Sequence, residues 1–412
     1  MIQYLIEKRE KSMQKDKRLT WFLALLLSSV LFLIVSCTED DDNDEAATVE
    51  STREYLDPVS NTKANRGTYS PECTYCGSNT LNNVAEPSNI LIDHVFIKNS
   101  NISVSDMIPE ILFKDTVTVS TGETINLSDH YGVKVAIPDF AVTSYNLGLA
   151  YGYVPFTLER RPALESAIQE HSTDVLCMQE VWTEEDAEAI KTAATAGGYS
   201  YNYRAQGEDE LFPTAQCTSA DMTAILACGN AYCSGQTATD LTSCIQTFCG
   251  ANIGALFVAN KACLGAFFTQ VGSLDLTTLE STVTVPSSRY AFNGSNGLLM
   301  VSKTELMNTE VIHLDSTTTR RSILYAKTSD HAGNEAHLFC THLSAILQDV
   351  PYVGEHKDWA TEQSQQIDVL LNLAESKASG KPQYLIGDFN IGKADEEHEI
   401  AAEAGDNYEK IP

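Results

Sequence analysis

Basic side chains are scarce: 27 lysines and arginines stand against 56 aspartates and glutamates, a formal charge of −29 over 412 residues. Such a field repels polyanions at long range and counts against tight duplex binding, although a small basic cleft can persist within it. No internal repeat with a period of about 20–50 residues is visible, which argues against tandem copies. Histidine is missing between residues 172 and 312, so the cysteines of that stretch lack the usual zinc partner. Long apolar runs are rare as well. The run from Leu19 to Val35 follows a basic opening with Lys8, Arg9, Lys11, Lys15, Lys17 and Arg18. Basic region, apolar run and a small residue before a cut describe a secretory signal over residues 1–36. The rival is a retained single-pass anchor, for which about 17 residues is the lower limit.

The run closes on Ile34-Val35-Ser36-Cys37, which resembles a bacterial lipobox. That resemblance implies lipidation at Cys37, and an address at the outer membrane or cell surface of a bacterial envelope. Losing residues 1–36 removes six basic and three acidic side chains and leaves a charge of −32. Eleven cysteines then fit an oxidising compartment. Cys73 and Cys76 form a close pair, while Cys177 and Cys340 lie in apolar strand patterns. Six more, Cys217, Cys228, Cys233, Cys244, Cys249 and Cys263, fall within 47 residues. Six cysteines leave about 15 possible pairings. The two Cys-x4-Cys spacings suit a helical hairpin stapled 228–249 and 233–244.

Residues 37–66, opening with the acidic block Thr38–Glu45, read as a disordered tether. Strands are expected at 89–97, 116–119, 133–137, 141–147, 174–180, 297–302, 309–314, 321–327, 335–342 and 383–389, and helices at 158–170, 184–196, 358–377 and 395–404. In Asp174–Glu180 both parities are apolar, as in a strand covered on both faces. Residues 205–290 break the rhythm and read as a cysteine-rich insertion. That leaves 67–204 and 291–412 as one α+β domain, two mixed sheets flanked by helices in a four-layer α/β/β/α sandwich.

The chemistry sits at strand ends, where rigid edges fix geometry. The motifs are Ile92-Asp93-His94, Ser128-Asp129-His130-Tyr131-Gly132, Ser144-Tyr145-Asn146-Leu147, Gln179-Glu180-Val181-Trp182, Thr341-His342-Leu343 and Gly387-Asp388-Phe389-Asn390. Together they resemble the endonuclease/exonuclease/phosphatase superfamily, whose members begin with the Asn strand and end with Ser-Asp-His. The closing motifs stand first here, so the order looks circularly permuted. A truncated gene model carrying the remnant of an upstream copy is the alternative. Within the superfamily, Tyr131-Gly132 after the histidine and Gln-Glu-Val-Trp are similar to the neutral sphingomyelinase-like branch.

The resemblance implies a metal site at Glu180, Asn146 and Asp129, filled by Mg2+ or another divalent cation. It implies His130 as general base oriented by Asp93, Asp388 and Asn390 as the pair that orients water and phosphate, and His342 as a donor to the developing charge. Ser329-Asp330-His331 lies between two strand patterns and is followed by Ala-Gly-Asn, which is hairpin-loop chemistry; the resemblance favours the copy at 128–130. The expected function is hydrolysis of a phosphodiester, foremost a phospholipid headgroup. The alternatives are an extracellular nuclease and a surface protein built on a catalytically dead scaffold. Oligomeric state is not legible.

Overall fold

The computed structural model describes residues 55–59, 73–82, 90–98, 102–205, 210–236, 238–270, 272–347, 350–392 and 406–412. The expected signal, the Cys37 lipid site and the helix at 395–404 lie outside the described residues. Residues Arg53–Pro412 form one compact unit.

In chain order the strands are β1 (Asp93–Lys98), β2 (Ile108–Leu112), β3 (Thr116–Thr118), β4 (Thr124–Asn126), β5 (Gly132–Ile137), β6 (Phe140–Asn146), β7 (Val175–Gln179), β8 (Tyr201–Tyr203), β9 (Leu299–Ser302), β10 (Met307–Leu314), β11 (Arg321–Ser329), β12 (Glu335–His342) and β13 (Gln383–Asp388). The helices are α1 (Thr157–Glu170), α2 (Glu184–Ala196), α3 (Ser219–Tyr232), α4 (Ala238–Ala259), α5 (Lys261–Phe268), α6 (Leu279–Val283) and α7 (Trp359–Ala378). One sheet runs β1-β13-β12-β11-β10 and the other β2-β5-β6-β7-β9-β8, with β3-β4 a separate ribbon. Both large sheets are mixed, because β12 and β13, like β6 and β7, run parallel.

Strand periodicity explains the layers. Tyr384 and Ile386 of β13 and Val175 and Cys177 of β7 face each other in the core between the sheets. Leu385 and Phe389 point the other way, onto Ile367, Leu370 and Ala374 of α7. On the far side Leu176 and Met178 meet Leu164 and Ile168 of α1 and Ile190 of α2. Thr183 caps α2 by accepting from the Asp186 backbone, and Asp358 caps α7 by accepting from Thr361. The four layers expected from the sequence are therefore present.

The insertion folds around a core of its own, with Ile225, Leu241, Ile245 and Leu264 inside it. Cys228–Cys249 and Cys233–Cys244 staple α3 to α4, and Cys217–Cys263 closes the base. Cys73 pairs with Cys76. Cys177–Cys340 joins β7 to β12 across the two sheets, a bond hidden from inspection of either strand alone. Removing both cysteines by alanine substitution should lower stability by about 2–5 kcal/mol. Chemical denaturation under non-reducing conditions measures this, and an unchanged midpoint would contradict the cross-link.

The tether expected over 37–66 needs correction at residues 55–59. Leu56 bridges Ile97 on β1, and the Tyr55 amide donates to the Pro412 carbonyl at 2.8 Å. Asp57 accepts from the His94 ring at 3.0 Å and from the Tyr408 hydroxyl at 2.8 Å, so its buried charge is satisfied. Tyr55 and Val59 bury enough apolar surface to hold this stretch in the fold despite its acidic flank.

Candidate active site

Register alone brings the first residues together. Asp93 on β1 is the Cα partner of Asp388 on β13, and His342 on β12 is the parallel partner of the same Asp388. Three functional side chains thus stand abreast at one end of the first sheet. β13 can lie this close to β12 because Gly387 has no side chain; a Cβ there would meet the Thr341 carbonyl oxygen at 2.2 Å. The second sheet contributes Asn146 at the end of β6, paired in register with Gln179, and Glu180 one residue further along. Glu180 holds φ 58, the left-handed region where a side chain is strained, and Asn390 holds φ 51.

The Asn146 amide nitrogen donates to Glu180 Oε1 at 3.2 Å and to Asp388 Oδ2 at 3.0 Å. His130 Nδ1 lies 2.9 Å from Asp93 Oδ2, its Nε2 lies 3.9 Å from Asp388 Oδ2, and Tyr75 packs edge-on against the ring at 5.2 Å. His342 Nε2 is 3.4 Å from Asp388 Oδ2. Ser128 ties the two loops together: its hydroxyl donates to the Asn146 carbonyl at 2.7 Å and accepts from the His130 backbone at 3.2 Å. Asp129 is packed against Gly148, where a Cβ would come within 2.4 Å of Asp129 Oδ1.

Asp93, Asp129, His130, Asn146, Glu180, His342 and Asp388 are therefore brought together. Asn390 lies just past the end of β13 at Asp388, and its backbone N–H donates to Asp388 Oδ1 at 3.0 Å while its amide nitrogen donates to the Leu343 carbonyl at 3.0 Å. His331 sits on the β11–β12 hairpin, 64% exposed, paired with Asp174 at 2.8 Å.

Two arginines escaped the sequence reading as site residues. Arg160 on α1 is fully buried, and its guanidinium donates to the carbonyls of Pro155, Leu127, Leu147 and Gly148. It binds the loop before His130 to the loop after Asn146. Arg321 opens β11 beside Glu180 and Asp388, 9% exposed, and among the described residues its Nε and Nη1 have no hydrogen-bond partner. Buried unsatisfied donors are costly unless a ligand completes them. The only local signal was an arginine opening an apolar strand, which is ordinary on a surface.

The electrostatics are those of crowded, buried carboxylates. Burial, then the neighbouring Asp93 charge, push Asp388 up to about 7. Burial and Asp129 raise Glu180. Burial on its own would depress His130, but the carboxylates of Asp93 and Asp388 outweigh it and hold the imidazole well above its usual value. Burial, Arg321 and His130 hold His342 well below, so its ring is neutral and can donate one N–H. Ligand atoms of Asp93, His130 and Asp388 lie within 4.8 Å of one another and could hold a metal ion. A hard divalent cation suits the wider donor set better, since His130 Nδ1 is already engaged and the surrounding donors are oxygens. The buried Asp93 Oδ1, without a hydrogen-bond partner among the described residues, is consistent with such a ligand.

The two-sheet sandwich thus gathers a buried His–Asp pair, a group that could hold a metal ion, and the Arg321 guanidinium, whose Nε and Nη1 lack a partner among the described residues. The chain belongs to the Endonuclease/Exonuclease/phosphatase family, whose model matches residues 143–408. Similar solved structures include a beta toxin from Staphylococcus aureus with bound magnesium ions, 11% identical over 66% of this chain and 69% of that one with a TM-score of 0.37. Sphingomyelinase C from Streptomyces griseocarneus is 15% identical over 63% and 67%, TM-score 0.34. Truncated TDP2 from Caenorhabditis elegans is 13% identical over 62% and 63%, TM-score 0.29. No curated protein matches the sequence.

Proposed function

We propose that the protein is a Mg2+-dependent phosphodiesterase that releases the headgroup of a phospholipid, tethered by a lipid on Cys37 to the outer membrane or cell surface. The observation that carries this reading is the His130–Asp93 pair at 2.9 Å, set against Asp388, His342 and Asn146 in one buried cluster. Glu180, Asp129, Asn146 and Asp388 would hold the cation, which supplies charge to offset that on the phosphoryl oxygens. With the cation in place its positive charge would oppose protonation of His130, leaving a neutral ring to accept a proton from water while Asp93 fixes its orientation. The water oxygen bonds to phosphorus, the bond from phosphorus to the lipid oxygen breaks, and that oxygen takes up a proton from solvent. His342 donates its N–H to a phosphoryl oxygen. A permuted chain order belongs to the same proposal: the family match begins at residue 143, and β1 and β5, which lie before it, pair with β13 and β6 inside it.

Arg321 fits a phosphoryl oxygen as the partner of its free N–H groups. Arg321→Met should lower kcat/KM about 10–100-fold, as expected for the loss of about 1.5–3 kcal/mol from one hydrogen bond to a charged group. Arg321→Lys should recover part of it, and an equal loss in both variants would remove the residue from this role. The function itself is tested by incubating residues 38–412 with Mg2+ and, separately, sphingomyelin, a glycerophospholipid and DNA. Phosphocholine release without DNA nicking is the expected result; nicking alone would sink the lipid reading.

A further inference from the structure

We propose that the outer face of the insertion, formed by α4 and the end of α3, docks onto an electrically neutral phosphocholine bilayer beside the mouth of the site. The proposal rests on the phospholipid reading above and adds to it how the enzyme would meet an aggregated substrate.

Helix α4 is apolar on both sides. Leu241, Ile245 and Leu256 fill the insertion's core, while Phe248 is 58% and Val258 86% exposed on the outer surface. Ala251 and Ala255 lie between those two at three- and four-residue steps and are exposed as well, making one continuous stripe. A helix apolar all round is ordinarily sunk in a core or in lipid, and this one has its outer stripe uncovered among the described residues. Tyr232, 63% exposed at the end of α3, stacks on Phe248 at 5.6 Å. An aromatic body with a polar tip suits the boundary between headgroups and acyl chains.

Charge decides the kind of partner. From Leu211 to Asn260 the only ionisable acids or bases other than cysteine and tyrosine are Asp221 and Asp240, in a chain that is 20% charged. The face carries exposed polar side chains such as Gln246 and Thr247 but no charge, so it offers no ion-pairing rim to a protein partner. An anionic bilayer would be repelled by the chain's net −29. A zwitterionic surface is the partner matched to a face without charge. The disulfides Cys228–Cys249 and Cys233–Cys244 fasten α4 to α3, so the helix lies along the surface and does not leave the fold to span a membrane.

The insertion adjoins the border of the site. Gly152 lies so near the insertion that a Cβ would meet the Gly272 nitrogen at 3.0 Å and Thr242 of α4 at 3.6 Å. The next residue, Tyr153, lies in the field of Glu180 and Arg321. Docking there holds the lipid surface against the loop that borders the catalytic cluster.

The test uses residues 38–412, which include the whole compact unit from Arg53, with the double variant Phe248→Glu/Val258→Glu and the milder Phe248→Ser. Sedimentation with phosphatidylcholine vesicles should show wild-type binding that falls at least about 10-fold in the double variant and less in Phe248→Ser. Hydrolysis of the soluble diester bis(p-nitrophenyl) phosphate should stay unchanged in both. Equal vesicle binding by wild type and variants, or binding to phosphatidylserine vesicles alone, overturns the proposal. So does a wild-type dimer that the substitutions dissolve without any vesicle binding, which would assign the face to a second copy. Vesicle binding lost in the variants, with no phospholipid cleaved by any form, keeps the docking face and removes the phospholipid reading.

Discussion

Replacing His130 with alanine is expected to slow phosphodiester turnover by about 10²-fold or more while the chain still folds. The imidazole is the one ring placed between two site carboxylates, 2.9 Å from Asp93 and 3.9 Å from Asp388. His342 is a much weaker base, because burial and the Arg321 and His130 charges hold it well below the usual imidazole value, and it lies against Asp388 itself. A loss of 10² corresponds to about 2.7 kcal/mol of transition-state stabilisation. Folding should survive because the ring belongs to none of the large apolar cores. Steady-state rates with circular dichroism separate the two effects, and unchanged turnover would refute the assignment. His331→Ala is the matched control: its ring is exposed on a hairpin, and both rate and stability should stay within about 0.5 kcal/mol of wild type.

Glu180→Gln should cost a comparable factor, about 10²-fold or more, by a different route. The amide keeps the shape but removes the carboxylate that shares Asn146 with Asp388. The Mg2+ concentration for half-maximal rate should rise, and added Mg2+ should restore part of the rate, which it cannot do for His130→Ala. Stability should move the other way. Burial and Asp129 raise Glu180 above its ordinary value. A carboxyl raised in the fold is neutral with respect to folding below its unfolded value and destabilises as pH climbs through the folded one. At neutral pH without metal the glutamine variant should therefore melt higher than wild type, with divalent cation closing the gap. A lower melting temperature together with an unshifted Mg2+ dependence would place Glu180 outside the metal site.

Much of this arrangement was legible in the residues. The strand at 174–180, apolar on both parities, announced itself as a sheet interior, and the strand at 383–389 and the helices at 184–196 and 358–377 form where they were expected. The pairings 228–249 and 233–244 followed from equal Cys-x4-Cys spacing on two antiparallel helices. Other features depend on tertiary contacts that no local pattern carries. Cys177 and Cys340 read as core cysteines until two sheets stack them, and Arg321 reads as a surface arginine until Glu180 and Asp388 surround it. The short strands Ile108–Leu112 and Tyr201–Tyr203 sit at sheet edges with little apolar alternation to mark them. Asn390, at φ 51 just past the end of β13, is held by its amide nitrogen to the Leu343 carbonyl, a tertiary contact no local pattern carries.

The pairing of Asp93 with Asp388 bears on biosynthesis. β13 is an interior strand, wedged between β1 and β12, and it arrives only after every other described strand has been made. Domains tend to fold as their chains emerge, but here a nascent chain that stops short of residue 388 has His130 and Asp93 without the carboxylate opposite them and a sheet with a gap where β13 belongs. On the proposed function, a fragment released before residue 388 would therefore be inactive.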